Sequence, residues 1–268
     1  MNLKVDRVTF QYPTGVIALD DVSLDIASGE SVAIIGENGA GKSTLARHLN
    51  GLLRPKQGHV YVGEADTSKV SVAKLASRVG FVFQNPDDQL FERTVEGEVG
   101  FGLRIHGMPK EDIRFAVQDA LKRVGLEEHA HEHPFDLHIS QRKLVALAAA
   151  LAMSTPIVML DEPTTGQDAF GVALIGGLVD TLRSEHRTII TITHDIDFCA
   201  EHFQRVVVMA RGKIIADGPA MTVLAQDEVL HQAEVEPPQM IRLAKRLAMP
   251  DAPLTSEQFV EAWLKQRG

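Results

Sequence analysis

A single cysteine, Cys199, stands in 268 residues, so no disulfide can form within the chain. That excludes a disulfide-stapled scaffold and fits a reducing compartment. In DFCAEHF, at a predicted helix start, Cys199 reads as a small buried residue rather than a reactive thiol. The N-terminus, MNLKVDRVTF, lacks the apolar core of a secretory signal. No stretch approaches the roughly 20 apolar residues that span a bilayer, so work at a membrane would require another protein to hold the chain there. Positive charge is in deficit, with a formal net charge of -9, which argues against a nucleic-acid partner. Internal repeats and low-complexity tracts are absent as well. What is present is bulk: 44% hydrophobic residues, enough for a main domain plus an appendage.

LKVDRVTF at 3–10 and VSLDI at 22–26 alternate like half-buried strands. After the Ser28-Gly29-Glu30 turn, SVAII at 31–35 has the apolar character of a buried parallel strand. GENGAGKST follows, then TLARHLNGLL with helical spacing, ended by Gly51 and Pro55. HVYV at 59–62 and VGFVF at 79–83 are further strands. From about 92 to 152 the pattern is helical, broken at Gly107-Met108-Pro109 and at HAHEHP. IVMLDE at 157–162 and TIITIT at 188–193 return to buried strands, and RVVVMARGKIIADG at 205–218 predicts a hairpin turning at Arg211-Gly212-Lys213. Strands alternating with helices give an α/β class with a parallel-containing sheet. Beyond Gly218, three helical patterns are separated by Pro237-Pro238 and Pro250-Asp251-Ala252-Pro253. The last has Thr255 or Ser256 as N-cap, and Phe259, Val260, Trp263 and Leu264 on one face.

Between the SVAII strand and its helix, Gly36-Glu37-Asn38-Gly39-Ala40-Gly41-Lys42-Ser43 fits G-x-x-x-x-G-K-[ST] in full. Gly36, Asn38, Gly39 and Gly41 belong to a backbone cradle whose N–H groups turn toward phosphate, and the helix N-terminus adds partial positive charge. Lys42 reaches the β- and γ-phosphates, the Ser43 hydroxyl ligates Mg²⁺, and Thr44 lies near the α-phosphate. Asp161 ends a buried strand at the carboxyl edge of the sheet, placed to hold Mg²⁺, and Glu162 is placed to polarise an attacking water. Gln84 follows another strand, within reach of Mg²⁺ and that water. His194 follows a third and can bond a γ-phosphate, and Tyr12 can stack on a base. Singly, such residues are more often structural. In this order they point to one site for ATP and Mg²⁺.

The motif order resembles the ATPase subunit of an ABC transporter. Tyr12 matches its A-loop aromatic, residues 36–44 the Walker A loop, and Gln84 the Q-loop. IVMLDE matches Walker B, GQD at 166–168 with Asp168 the D-loop, and His194 the switch histidine. FVFQNPDDQLFERTVEGEVGFG at 81–102, DEPTTGQD, THDIDF and PPQMIRLAKRL are similar to the energy-coupling factor group, which includes cobalt and nickel importer ATPases. The resemblance covers nearly the whole chain. It implies a P-loop NTPase fold: an ABC nucleotide-binding domain over 1–219 and a C-terminal helical dimerisation extension over 220–268. The domain would combine a RecA-like core, an antiparallel β subdomain and a helical subdomain at about 92–152. It also implies ATP hydrolysis coupled to uptake of a vitamin or transition-metal ion, at the cytoplasmic face of the membrane. The implied partners are a second ATPase subunit, an integral membrane coupling subunit and a substrate-binding membrane subunit. Asn85 to Phe91 would border the groove that takes a coupling helix, although Asn-Pro-Asp-Asp alone is ordinary turn chemistry.

One motif departs from the family. Where the family has LSGGQ, this chain has Leu137, His138, Ile139, Ser140 and Gln141. That signature acts in trans, presenting a serine hydroxyl and glycine N–H groups to the γ-phosphate on a second subunit. Ile139 fits worst, because a β-branched side chain resists unusual backbone angles and fills space. The departure implies an asymmetric heterodimer in which the site served by LHISQ is impaired. A homodimer with a tolerated variant signature, or a regulatory ABC ATPase, is the alternative. A soluble ABC protein of DNA repair or translation fits less well, given one Walker loop and no extended heptads. His129, His131, His133 and His138 invite a metal reading, but a solvated polar loop fits better without a second ligand cluster. The C-terminal apolar face has two readings, a second dimer contact or packing within the chain.

Overall fold

The computed structural model describes residues 1–249 and 253–267. In chain order the strands are β1 (Leu3–Gln11), β2 (Ile17–Ile26), β3 (Ser31–Ile35), β4 (Gln57–Val62), β5 (Ala65–Asp66), β6 (Val79–Val82), β7 (Ile157–Asp161), β8 (Thr188–Ile192), β9 (Arg205–Ala210) and β10 (Lys213–Pro219). The helices are α1 (Lys42–Leu49), α2 (Val72–Ala76), α3 (Val95–Ile105), α4 (Lys110–Val124), α5 (Ile139–Ala152), α6 (Ala169–Ser184), α7 (Ile196–His202), α8 (Ala220–Val223), α9 (Asp227–Gln232), α10 (Gln239–Arg246) and α11 (Ser256–Arg267).

Every residue of β3, β7 and β8 is buried, as an apolar run covered on both faces requires. They form the centre of a sheet ordered β10-β9-β3-β8-β7-β6, parallel except for the β9–β10 hairpin. Successive residues of a strand face opposite ways, and the core divides accordingly. Val32 and Ile34 join α1 and the antiparallel sheet β2-β1-β4-β5 in one apolar cluster. Ala33 and Ile35 join α3 to α7 and the C-terminal helices in the other.

The helical region between β6 and β7 is α3, α4 and α5, which pack on one another. Thr94 caps α3 by accepting from the Gly97 N–H at 3.1 Å, and Gly125 ends α4 with φ 69. HAHEHP lies across two 3-10 turns, Glu127–His129 and Pro134–Asp136. The hairpin turns where the sequence predicts.

α1 runs from Lys42 to Leu49 and is ended by Gly51, which takes φ 78 and turns the chain away, as the sequence predicts. One expectation needs correction. After Gly218 there are four short helices among the described residues rather than three. Of the second proline break, Pro250 to Ala252 lies outside the described residues. Thr255, not Ser256, caps α11, its hydroxyl accepting from the Gln258 N–H at 3.2 Å. Leu230, Ala233 and Ile241 are fully buried in the larger cluster, so α9 and α10 share the main core. α11 packs on α10, with Phe259 and Trp263 stacked at 6.2 Å and Val260 and Leu264 left exposed. No described helix is long and apolar enough to cross a membrane.

Because Leu230 has no exposure, Leu230→Ala should destabilise the chain by about 2–5 kcal/mol, read from the urea midpoint at unchanged slope. A loss below about 0.5 kcal/mol would show that α9 contributes little to the core.

Candidate active site

Strand register brings four loops to one edge. Ile34 of β3 pairs with Ile192 of β8, Ile192 with Asp161 of β7, and Leu160 with Val82 of β6. Immediately beyond these pairs the chain supplies Gly36, His194, Glu162 and Gln84, and all four line one cleft of about 540 Å³. Glu37 and Asn38 line it too, as do Glu234, Glu236 and Arg242 from the C-terminal region. Open α/β sheets bind ligands at this edge.

The loop from Gly36 to Ser43 is pressed against backbone. A Cβ on Gly36, at φ 147, would lie 2.1 Å from the Met209 carbonyl oxygen. One on Gly41, at φ 103, would lie 2.3 Å from that of Ala18. Asn38 and Gly39 form the exposed crest. The buried Lys42 ammonium donates to the carbonyls of Gly36 at 2.6 Å and Glu37 at 2.8 Å. Burial lowers its pKa, and the charges of Glu162, Asp161 and Glu37 work against that shift. Tyr12 sits beside the cradle with its hydroxyl 3.1 Å from Thr44 Oγ1 and its ring edge-on to Phe10.

Burial, and then the charge of Glu162, raise the pKa of Asp161, against a hydrogen bond from Ser43. Asp161 Oδ1 is buried without a hydrogen-bond partner. A carboxylate oxygen with an open lone pair beside a serine hydroxyl suits a hard dication, so the residues present fit Mg²⁺. Glu162 Oε2 lies 2.8 Å from His194 Nδ1 and accepts from the His194 N–H at 3.3 Å. Glu162 itself has φ 50, an uncommon conformation for a non-glycine residue. Its N–H donates to the Ile192 carbonyl at 2.7 Å.

His138, Ile139, Ser140 and Gln141 lie outside this cleft, at the start of α5. The His138 N–H donates to Gln141 Oε1 at 3.2 Å, and Ile139 is 53% exposed. Asp168 caps α6, accepting from the Gly171 N–H at 2.8 Å, and the Gln167 side chain donates to the Ser140 carbonyl at 3.1 Å. The histidines have separate partners: His129 pairs with Glu132, His131 with Glu96, and the His133 ring accepts from the Phe135 N–H. Among the described residues no group of three His, Cys, Asp or Glu side chains is placed to hold a metal ion.

Several polar residues carry no motif and escape a reading of the sequence. Lys143 is buried on α5 and bonds the carbonyls of Glu162 and Thr165. His48 is buried with Nδ1 2.7 Å from the Thr44 carbonyl, and burial lowers its pKa. Arg142 pairs with Asp87 at 3.2 Å. Buried Glu98 accepts from the N–H groups of Phe91 and Glu92, both at 2.8 Å. Their sequence context mixes charged, polar and apolar neighbours and does not mark them out. Gln89 and Phe91 border a separate, largely apolar groove of about 660 Å³ that includes Phe81, Phe83, Phe101 and Ile105.

A family model described as ABC transporter matches residues 19–165, more than half of the chain. The chain belongs to the ABC transporter family. It is 39% identical over 244 residues to the energy-coupling factor transporter ATP-binding protein EcfA of Methanocaldococcus jannaschii, covering 90% of this chain and 88% of that one. It superposes with a TM-score of 0.77 and 36% identity on cbiO1 of Clostridium perfringens, described as part of the ABC transporter complex cbiONQ. That match covers 92% of this chain and 98% of the other. An ABC transporter ATP-binding protein of Methanosarcina acetivorans is 38% identical over 98% of this chain, which spans only 43% of that relative's length.

The raised pKa of Asp161 means that the folded chain holds its proton more tightly than the unfolded chain does. Ionised Asp161 therefore weakens the fold above the ordinary carboxylate range, and the penalty fades as pH falls below it. Asp161→Asn should raise the thermal midpoint of the nucleotide-free protein at neutral pH and abolish Mg²⁺-dependent nucleotide binding. The midpoint gain should vanish in acid. A gain equally large in acid would contradict the electrostatic cause.

Proposed function

We propose that this chain is the ATP-hydrolysing subunit of an energy-coupling factor ABC importer, and one half of an asymmetric ATPase pair. The observation that carries the reading is the convergence of Gly36, Gln84, Glu162 and His194 on one cleft while LHISQ of the same chain faces elsewhere. A cleft with a phosphate loop and a carboxylate but no signature is half of a site. The similarity to EcfA and to a member of the cbiONQ complex supports the importer class.

Hydrolysis needs a positioned water and neutralised phosphate charge. The Lys42 ammonium would exchange the carbonyls of Gly36 and Glu37 for the β- and γ-phosphates of ATP. Gly36, Asn38, Gly39 and Gly41 form the surrounding backbone cradle, and Tyr12 flanks Thr44 for the base and α-phosphate. Mg²⁺, held by Ser43, Asp161 and Gln84, would neutralise phosphate oxygens. Glu162 polarises the water, and His194, already against Glu162 Oε2, bonds the γ-phosphate.

The second subunit closes the site with its own signature, and Asp168 lies in the D-loop at that junction. Ile139 puts an exposed branched side chain where glycine N–H groups would approach the partner's nucleotide. This makes the site served by LHISQ slow, and it favours a heterodimer. Val260 and Leu264 supply a second contact between subunits. The groove of Phe81, Phe91 and Phe101 takes the integral membrane coupling subunit, which itself carries a substrate-binding membrane subunit. The chain would thus lie peripherally at the cytoplasmic face, and its cargo, a vitamin or transition-metal ion, is chosen by another polypeptide.

In the complex purified with its partners, Glu162→Gln should lower ATP turnover by at least about a hundredfold while ATP binding persists. Near-wild-type turnover in a phosphate-release assay would contradict the assignment.

A further inference from the structure

We propose that Lys143 is a positioning residue for ATP hydrolysis, its buried ammonium fixing the main chain of Glu162 and of the turn that leads to Asp168. The inference rests on the role given to Glu162 above. Lys143 is 4% exposed and lies in the second turn of α5. Its Nζ donates to the Glu162 carbonyl at 2.8 Å and to the Thr165 carbonyl at 2.9 Å. Among the described residues it forms no ion pair with a carboxylate. Burial lowers its pKa, and the charges of Glu162 and Asp161 work against that shift.

A buried charge without an ion-pair partner is a poor choice for stability alone, since an apolar side chain would fill the space without desolvating an ammonium. What the ammonium does supply is two directed bonds to carbonyls that bracket one turn. That turn begins at Glu162, whose φ of 50 is uncommon and must be held by its surroundings. The Glu162 N–H is held by the Ile192 carbonyl and its C=O by Lys143, so both ends of its peptide environment are anchored. The carboxylate that meets His194 is aimed from that backbone.

The anchor also joins two sites. α5 opens with LHISQ, and the Gln167 side chain bonds the Ser140 carbonyl while Lys143 bonds Thr165. The first turns of α5 are therefore stitched to residues 162–167 at two points.

The test is steady-state kinetics of the purified complex carrying Lys143→Met, Lys143→Gln or Glu162→Gln. Lys143→Met should lower kcat at least about tenfold and leave the KM for ATP within about twofold, because positioning acts on the transition state. Lys143→Gln, which keeps one donor within reach, should fall between it and the parent. An unchanged kcat in Lys143→Met, or equal losses of kcat and ATP affinity in a folded complex, overturns the proposal. If Lys143→Met does not fold, Lys143→Gln decides: parental kcat overturns the role and reduced kcat at parental KM supports it. Glu162→Gln separates the layers. Full turnover there removes the premise, whereas loss of turnover there with parental kcat in Lys143→Met removes only the positioning role.

Discussion

The parallel register of β3, β6, β7 and β8 is the constraint that organises the rest of the molecule. β3, β6, β7 and β8 are registered so that their last residues lie side by side. The candidate site residues therefore sit just past strand ends, each placed by a buried ladder rather than by its own loop. Gly36 turns under Met209, Glu162 hangs from Ile192, and His194 reaches Glu162. The same arrangement crowds Lys42, Asp161 and Glu162 where water is partly excluded, which raises the Asp161 pKa and lowers that of Lys42. A site built to receive phosphate and a dication carries unfavourable electrostatics without them.

The phosphate loop was legible in the sequence because its requirements are local: glycines, a lysine and a serine at fixed spacing between a strand and a helix. Asp161, Glu162, Gln84 and His194 were legible as residues after apolar runs, and only the register shows that they share an edge. Lys143 was not legible, because its partners are carbonyls 19 and 22 residues away, and a carbonyl has no residue type. The end of α1 was legible because a glycine, Gly51, stands just past its last turn and takes φ 78. In the C-terminal region, apolar spacing marks faces but not their cover. Leu230 and Ile241 turn into the core, whereas Val260 and Leu264 do not.

The departure at LHISQ gives the site its character. Within one chain, an acid, a histidine and a phosphate loop line one cleft, and the residues at the start of α5 do not line it. A serine and two glycines there would make the chain self-sufficient as a homodimer. Under the proposed function, histidine, isoleucine and serine leave the chain's own candidate catalytic groups in place and would weaken what it offers to another subunit. Such a division is consistent with two non-identical partners sharing one working site.

The most direct measurement of that division is native mass spectrometry of the complex drawn from host membranes through a tag on this chain. An asymmetric machine requires one copy of this chain with one copy of a second ATPase that carries an intact LSGGQ. Two copies of this chain and no second ATPase would contradict it, and would mean that Ile139 is compatible with a working signature.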